Sequence, residues 1–209
     1  MPSTTSSALS GLTARWPLLK HSFYQRWTDG SLSPDELRYY SDQYRHLVVA
    51  LPQWLDTAAA GHPTRTRELK AHAHEESTHI ALWDQFREGI GADGAGDAPN
   101  AATNRVLGIG RALADQGLGA AAAWALEAQA PEVSRAKADG LERHYGIDAG
   151  SGAAYFELHS TMDVAHSREL EAAIDELPAE LRARAVEAAD AVLAGLWEVL
   201  TSSEKVATS

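Results

Sequence analysis

The sequence contains no cysteine. That absence removes disulfides, thiolate metal sites, iron–sulfur clusters and thiol nucleophiles together, leaving any chemistry to carboxylates, imidazoles, hydroxyls and amines. Positive charge is also scarce: 18 Lys and Arg face 29 Asp and Glu, for a formal net charge of −11. Such a chain is ill suited to tracking nucleic-acid phosphates or an anionic membrane, so neither is expected as a partner. No apolar run approaches the roughly 18 residues that mark a membrane span. The opening MPSTTSSALSGL lacks the basic start and apolar core of a secretory signal. A cytoplasmic location is expected. Alternating β-branched segments are nearly absent too, which argues against a sheet.

What is present is helical periodicity. A length of 209 residues lies within single-domain range. We expect an all-α, up-down bundle of about seven helices, one domain over residues 1–209, with 1–7 and 203–209 frayed. A first helical region runs to about Trp27 and stops at TDG, where Gly30 can take a left-handed cap. SLSPDEL then opens a new helix, with Ser33 as N-cap, Pro34 at the first helical position and Glu36 completing a capping box. Leu37, Tyr40, Tyr44, Leu47, Val48 and Leu51 share one side of it, and Pro52 is a candidate kink. The next helix covers about Thr64 to Glu88, and GIGADGAGDAPNAA after it reads as a mobile loop. Further helices are expected over 102–116, 118–145 with a bend near Pro131, 153–176 and 178–199.

Potential chemistry concentrates on three of these helices. In HSTMDVAH, His159, Asp163 and His166 stand at i, i+4 and i+7, which places them on one narrow stripe. Tyr155, Phe156, Leu158, Met162 and Leu170 surround that stripe with apolar surface, so it is expected to face inward. Two imidazoles and a carboxylate are costly to bury unless a divalent cation or hydrogen bonds satisfy them. Taken alone, such a triplet is more often a solvated helix face. HEESTH adds His79, with Glu75 at i−4 and Glu76 at i−3, either able to pair with it. Glu127 stands in the apolar run AAAWALEAQAPEV, where an acid needs a partner, a metal or exposure. His72 and His74 are expected at the surface, because one helix cannot aim every neighbour at one point. Three carboxylates and three histidines from three helices suit a pair of metals with open positions.

These stretches also resemble a family. EESTHIALWDQF, EAQAPEVSRAKADGLERHYG, YFELHSTMDVAH and HSFYQRWTDGSLSPDELRYYSDQYRHLV are similar to the haem-oxygenase-like di-iron oxidases and oxygenases. Within them the chain most resembles the CADD-like group, the chlamydial death-domain-associated protein and its bacterial relatives, of the wider thiaminase- and PqqC-like fold superfamily. The resemblance implies metal ligands at Glu127, His159, Asp163 and His166, with His79 and an acid, Glu75 or Glu76, on the earlier helix. Glu75 is preferred because it reaches His79 across one turn. Some relatives carry a further carboxylate where this chain has Gln43, with Asp42 beside it. The implied cofactors are two iron ions, or one iron and one manganese, with O2 as co-substrate and an external reductant.

The CADD-like group resembles enzymes that make 4-aminobenzoate, a folate precursor, from a tyrosine of their own chain with a lysine as amine donor. Tyr24 and Lys137 match those positions, whereas a second tyrosine often found before the bundle glutamate is Leu126 here. A homodimer is expected. Three alternatives stand beside this reading: a di-iron oxidase of an external amino acid or fatty acid, a cofactor-free oxidase similar to the pyrroloquinoline quinone synthases, and a helical protein-interaction module without catalysis. Iron content separates the first two, and alanine at Glu127 and His159 separates enzyme from module.

Overall fold

The computed structural model describes residues 4–92, 94 and 96–204. Its helices are α1 (Thr4–Arg15), α2 (Ser22–Asp29), α3 (Pro34–Gly61), α4 (Thr66–Gly89), α5 (Ala101–Asp115), α6 (Gly119–Glu127), α7 (Ala130–Gly140), α8 (Ala154–Asp175) and α9 (Ala179–Ser203), and no strand occurs among the described residues. No helix among them is long and apolar enough to cross a membrane.

Local signals set the boundaries. Ser33 caps α3 through the full capping box, its hydroxyl accepting from Glu36 N at 3.2 Å while Glu36 Oε2 accepts from Ser33 N at 2.8 Å. Gly30 takes a left-handed φ of 69° at the end of α2. α3 runs uninterrupted through Pro52.

Two expected single helices are broken. Pro17 separates α1 from α2, and His21 restarts the chain by accepting from Phe23 N at 3.0 Å. The region 118–145 divides at α6 and α7 because Pro131 has no N–H to offer the carbonyl of Glu127. Gln129 fills that break, accepting from Leu18 N and donating to Trp16 O, each at 2.9 Å.

Two other expectations need correction. Residues 4–7 are the first turn of α1, with Thr5 buried, and Ser203 is buried at the end of α9, while 1–3 and 205–209 lie outside the described residues. The glycine-rich loop is tied down: Asp42 accepts from Asp97 N, Gln43 donates to Ala98 O, and Arg87 reaches Gly94 O. Asp93 and Ala95 lie outside the described residues.

The site depends most on α6. Its sequence GAAAAWALE is buried along its length, as a helix apolar on all sides must be, and it packs against α3, α5, α8 and α9. Its last residue, Glu127, is thereby delivered into the interior with only 2 % exposure.

Candidate metal centre

α4 and α8 face each other with matching stripes. His72, Glu76 and His79 stand at i, i+4 and i+7 of α4, as His159, Asp163 and His166 do on α8, and all six are buried. The helices run antiparallel at this point, since the His72 and His166 rings lie 3.8 Å apart and the His79 and His159 rings 4.8 Å apart. Glu127 closes the His72 end, with its Oε1 3.0 Å from His72 Nε2. Glu76 is shared: Oε1 lies 3.1 Å from His79 Nδ1 and 3.8 Å from His166 Nδ1, and Oε2 lies 3.7 Å from His159 Nε2. Two overlapping sets result, His72, Glu76, Glu127 and His166 at one end and Glu76, His79 and His159 at the other. Asp163 sits between them, 3.7 Å from His166 Nδ1.

The donor atoms fit metal better than they fit one another. Among the described residues ten buried side-chain polar atoms lack a hydrogen bond, and eight belong to His72, Glu127, His159, Asp163 and His166. Even the close His72–Glu127 contact is not aligned as a hydrogen bond. Buried polar atoms ordinarily find partners, so this concentration at one point marks a place for cations. His159 is also oriented for ligation: its Nδ1–H donates to Tyr155 O at 2.7 Å, leaving the Nε2 lone pair directed at the cluster.

Electrostatics agree. Burial, followed by the nearby Asp163 and Glu76, pushes the Glu127 carboxyl well above its ordinary range. Burial pushes Glu76 the same way, but the neighbouring His159 and His79 imidazoles outweigh it and hold that carboxyl below the carboxylate range. Burial and His166 lower His72 to about 4. His166 is lowered by burial too, yet the surrounding Asp163, Glu127 and Glu76 raise it to about 9. Three carboxylates this close cannot all ionise without protons or metal among them.

His72 is the ligand candidate that single-residue reasoning missed. The missing signal was the repeat itself, since HAHEESTH and HSTMDVAH share one H-x3-acid-x2-H spacing. That spacing also distinguishes the two glutamates: Glu76 points into the cluster, while Glu75 stands at the rim, with its side chain 46 % exposed and 3.3 Å from His166 Nε2. His74 is exposed. Gln43 and Asp42 face elsewhere, binding the 91–100 loop and Arg87.

Tyr24 and Lys137 meet deeper in the core. Tyr24 Oη lies 3.2 Å from Tyr40 Oη, which lies 2.5 Å from Lys137 Nζ. Gly140 has room for Trp27 only because it lacks a Cβ, and the Trp27 indole donates to Lys137 O at 3.1 Å, fixing that turn of α7. Burial lowers the Lys137 amine well below its usual range and raises the Tyr24 phenol. A cavity of about 40 Å³ touches both residues and also Glu76, Glu127, His159 and Asp163.

Against this geometry, the model of the iron-containing redox enzyme family matches residues 38–201. The chain belongs to this family. Its relatives include the 4-aminobenzoate synthase of Nitrosomonas europaea, 32 % identical and aligned over 88 % of this chain and 84 % of that one. The 4-aminobenzoate synthase of Chlamydia pneumoniae is likewise 32 % identical, over 88 % and 84 %. In fold the chain resembles a TenA homologue from Pseudomonas syringae pv. tomato (TM-score 0.78, 15 % identity, 97 % and 91 % covered). It also resembles a CADD-like protein from Nostoc punctiforme (TM-score 0.71, 19 % identity, 97 % and 100 % covered). A haem oxygenase-1 from Synechocystis shares the arrangement (TM-score 0.73, 13 % identity, 96 % and 92 % covered), so the bundle is haem-oxygenase-like. The protein is an iron-containing redox enzyme, and family and relatives together support a di-iron oxygenase function.

Proposed function

We propose that this iron-containing redox enzyme is a non-haem di-iron oxygenase that forms 4-aminobenzoate from its own Tyr24, with Lys137 as the amine donor. His72, Glu76, Glu127 and His166 would hold one metal and Glu76, His79 and His159 the other, with Asp163 between them. Glu75 stays outside the set, at the rim.

The observation that carries the self-consuming reading is the cavity. Tyr24 and Lys137 already line it beside the cluster carboxylates. The names of the two relatives support the product, and the family description supports iron.

When bound, the metal pair supplies the redox chemistry of O2, fed by an external reductant. The chain supplies the rest. Leu18, Val48, Leu126, Val133 and Leu196 wall the cavity and exclude bulk water. The Tyr155 carbonyl fixes the His159 tautomer. Burial favours the neutral, nucleophilic form of Lys137 Nζ and the protonated form of the Tyr24 phenol. The reading places the protein in the cytoplasm, as a homodimer without a nucleic-acid partner; sedimentation checks the dimer.

The test is reconstitution of protein made with ring-deuterated tyrosine, using Fe(II) and reductant, followed by O2 and mass spectrometry of small molecules and intact chain. Labelled 4-aminobenzoate and a mass loss at residue 24 are expected, both abolished in Tyr24→Phe. Product without label, or an intact Tyr24 alongside turnover of an added amino acid, would sink the self-consuming reading.

A further inference from the structure

We infer that Glu75 and the outer edge of His166 form an entry port for divalent cations, through which metal passes between solvent and the centre. Glu75 takes the ion at the rim and does not keep it. This rests on the metal-centre reading above and is independent of what becomes of Tyr24.

Among the described residues the centre is walled on three sides. Glu127 arrives on α6, which is buried along its length. At the His159 end Tyr155 lies flat on the imidazole, with centroids 3.9 Å apart and planes 20° apart, and Trp83 stands edge-on to Tyr155 at 4.9 Å. The cavity that touches Glu76, Glu127, His159 and Asp163 is lined by Leu18, Val48, Leu126, Val133 and Leu196. A hydrated dication moving along such a lining would shed water with no oxygen to replace it, at a prohibitive cost.

The remaining side is the seam between α4 and α8. His166, at 7 %, is the most exposed of the seven donor residues, the other six lying between 1 % and 4 %. Its ring spans the wall. Nδ1 faces the cluster, 3.7 Å from Asp163 Oδ1 and 3.8 Å from Glu76 Oε1, while Nε2 faces outward, 3.3 Å from Glu75 Oε2. The Glu75 side chain is 46 % exposed, so its carboxylate meets water on one side and the imidazole on the other. His166 Nδ1 has no hydrogen bond, and the His72 ring 3.8 Å away has none at either nitrogen. Glu169, one turn on along α8, adds its negative charge at His72. Donors thus follow one another from solvent through Glu75 and His166 to Glu76 and Asp163.

The donor chemistry suits passage at the rim and residence within. A single exposed carboxylate captures a hydrated dication fast and holds it weakly, because one oxygen replaces few of its waters. The buried acids Glu76, Glu127 and Asp163 draw the ion onward, since their charges act through surroundings of low dielectric. Glu75 is left behind when the ion arrives, so it sets the height of the barrier and not the depth of the site. Loss of a resident ligand speeds release and weakens binding. Loss of a port slows entry and release by the same factor and leaves Kd where it was.

The experiment mixes metal-free full-length protein with Co(II) under anaerobic conditions, follows the ligand-field absorption by stopped flow, and then measures release to excess chelator. Entry and release are both expected to slow about tenfold or more in Glu75→Ala, with Kd and ions per chain as in the native protein. Glu75→Gln, uncharged and of the same shape, must slow likewise, whereas Glu75→Asp recovers most of the rate and His74→Ala keeps all of it. Rising ionic strength should slow native entry more steeply than entry into Glu75→Ala.

Native entry rates in Glu75→Ala and Glu75→Gln overturn the port and leave the metal centre standing. Faster release with fewer ions held in those variants makes Glu75 a resident ligand and overturns the port as well. A native protein that takes up no Co(II) overturns the metal centre and the port together.

Discussion

The corner between α2 and α3 and the centre between α4 and α8 both bury acids, and they differ in what is left over. Glu36 has 0 % exposure, yet it accepts from Ser33 N and from both terminal nitrogens of Arg26, so its carboxylate is fully used. Glu127 and Asp163 are as deeply buried, and none of their four oxygens has a hydrogen bond. Burial of charge therefore does not mark function here. Unused donor and acceptor capacity converging on one point does.

Several substitutions would break or sharpen that contrast. Glu76→Ala should remove the shared ligand and abolish iron retention at both ends, read as iron per chain after desalting. His72→Ala should weaken metal binding about 10–100-fold or more by stripping one end, while His74→Ala leaves it unchanged; equal loss in both would undo the assignment of His72. Glu36→Gln belongs to the other side of the comparison. It should cost about 1–3 kcal/mol in a urea melt, between the ranges for exposed and buried pairs because Arg26 is 34 % exposed, and leave iron content alone.

The pH dependence of that loss has a fixed sign. Burial works to raise the Glu36 carboxyl, but Arg26 and Ser33 outweigh it and hold it below its ordinary value of 4.5. The stabilisation is thus complete above that value and fades as pH falls through the folded carboxyl's own range, so native and Glu36→Gln melts should converge in acid.

Lys137→Met should give a smaller gain, about 1 kcal/mol at neutral pH, since a buried amine is exchanged for an apolar chain of similar length. Burial depresses the amine from 10.5, so the unfolded chain binds the extra proton and native stability falls as pH drops below that value. The advantage of Lys137→Met should widen over that descent, while 4-aminobenzoate formation is lost. Glu75→Ala should have the least effect, with iron content close to native.

Much of the fold was legible because helices announce themselves locally. The Ser33 capping box, Gly30 and the stripe from Leu37 to Leu51 are each decided by residues within a few turns. The breaks at Pro17 and Gln129 were harder, since proline signals a disruption and tertiary contacts, here Gln129 to Leu18 and Trp16, decide whether a helix bends or ends. The glycine-rich loop looked mobile because its anchors, Asp42, Gln43 and Arg87, lie on other helices.

At the site, the stripe of His159, Asp163 and His166 could be read from spacing and Glu127 from its apolar surroundings. The rotation of α4 could not be read from either glutamate alone. His72, Glu76 and His79 become one face only when α8 is set against them, and that pairing also demotes Glu75. Tyr24 and Lys137, 113 positions apart in the sequence, meet through Tyr40, whose part no local pattern reveals.

Anaerobic titration of the metal-free protein with Fe(II), followed by magnetic circular dichroism, tests the two-ended centre most directly. Two ions per chain that couple to each other, with coupling lost in Glu76→Ala, are predicted. Saturation at one ion per chain, or two uncoupled ions unaffected by Glu76→Ala, would contradict a pair of metals sharing that carboxylate.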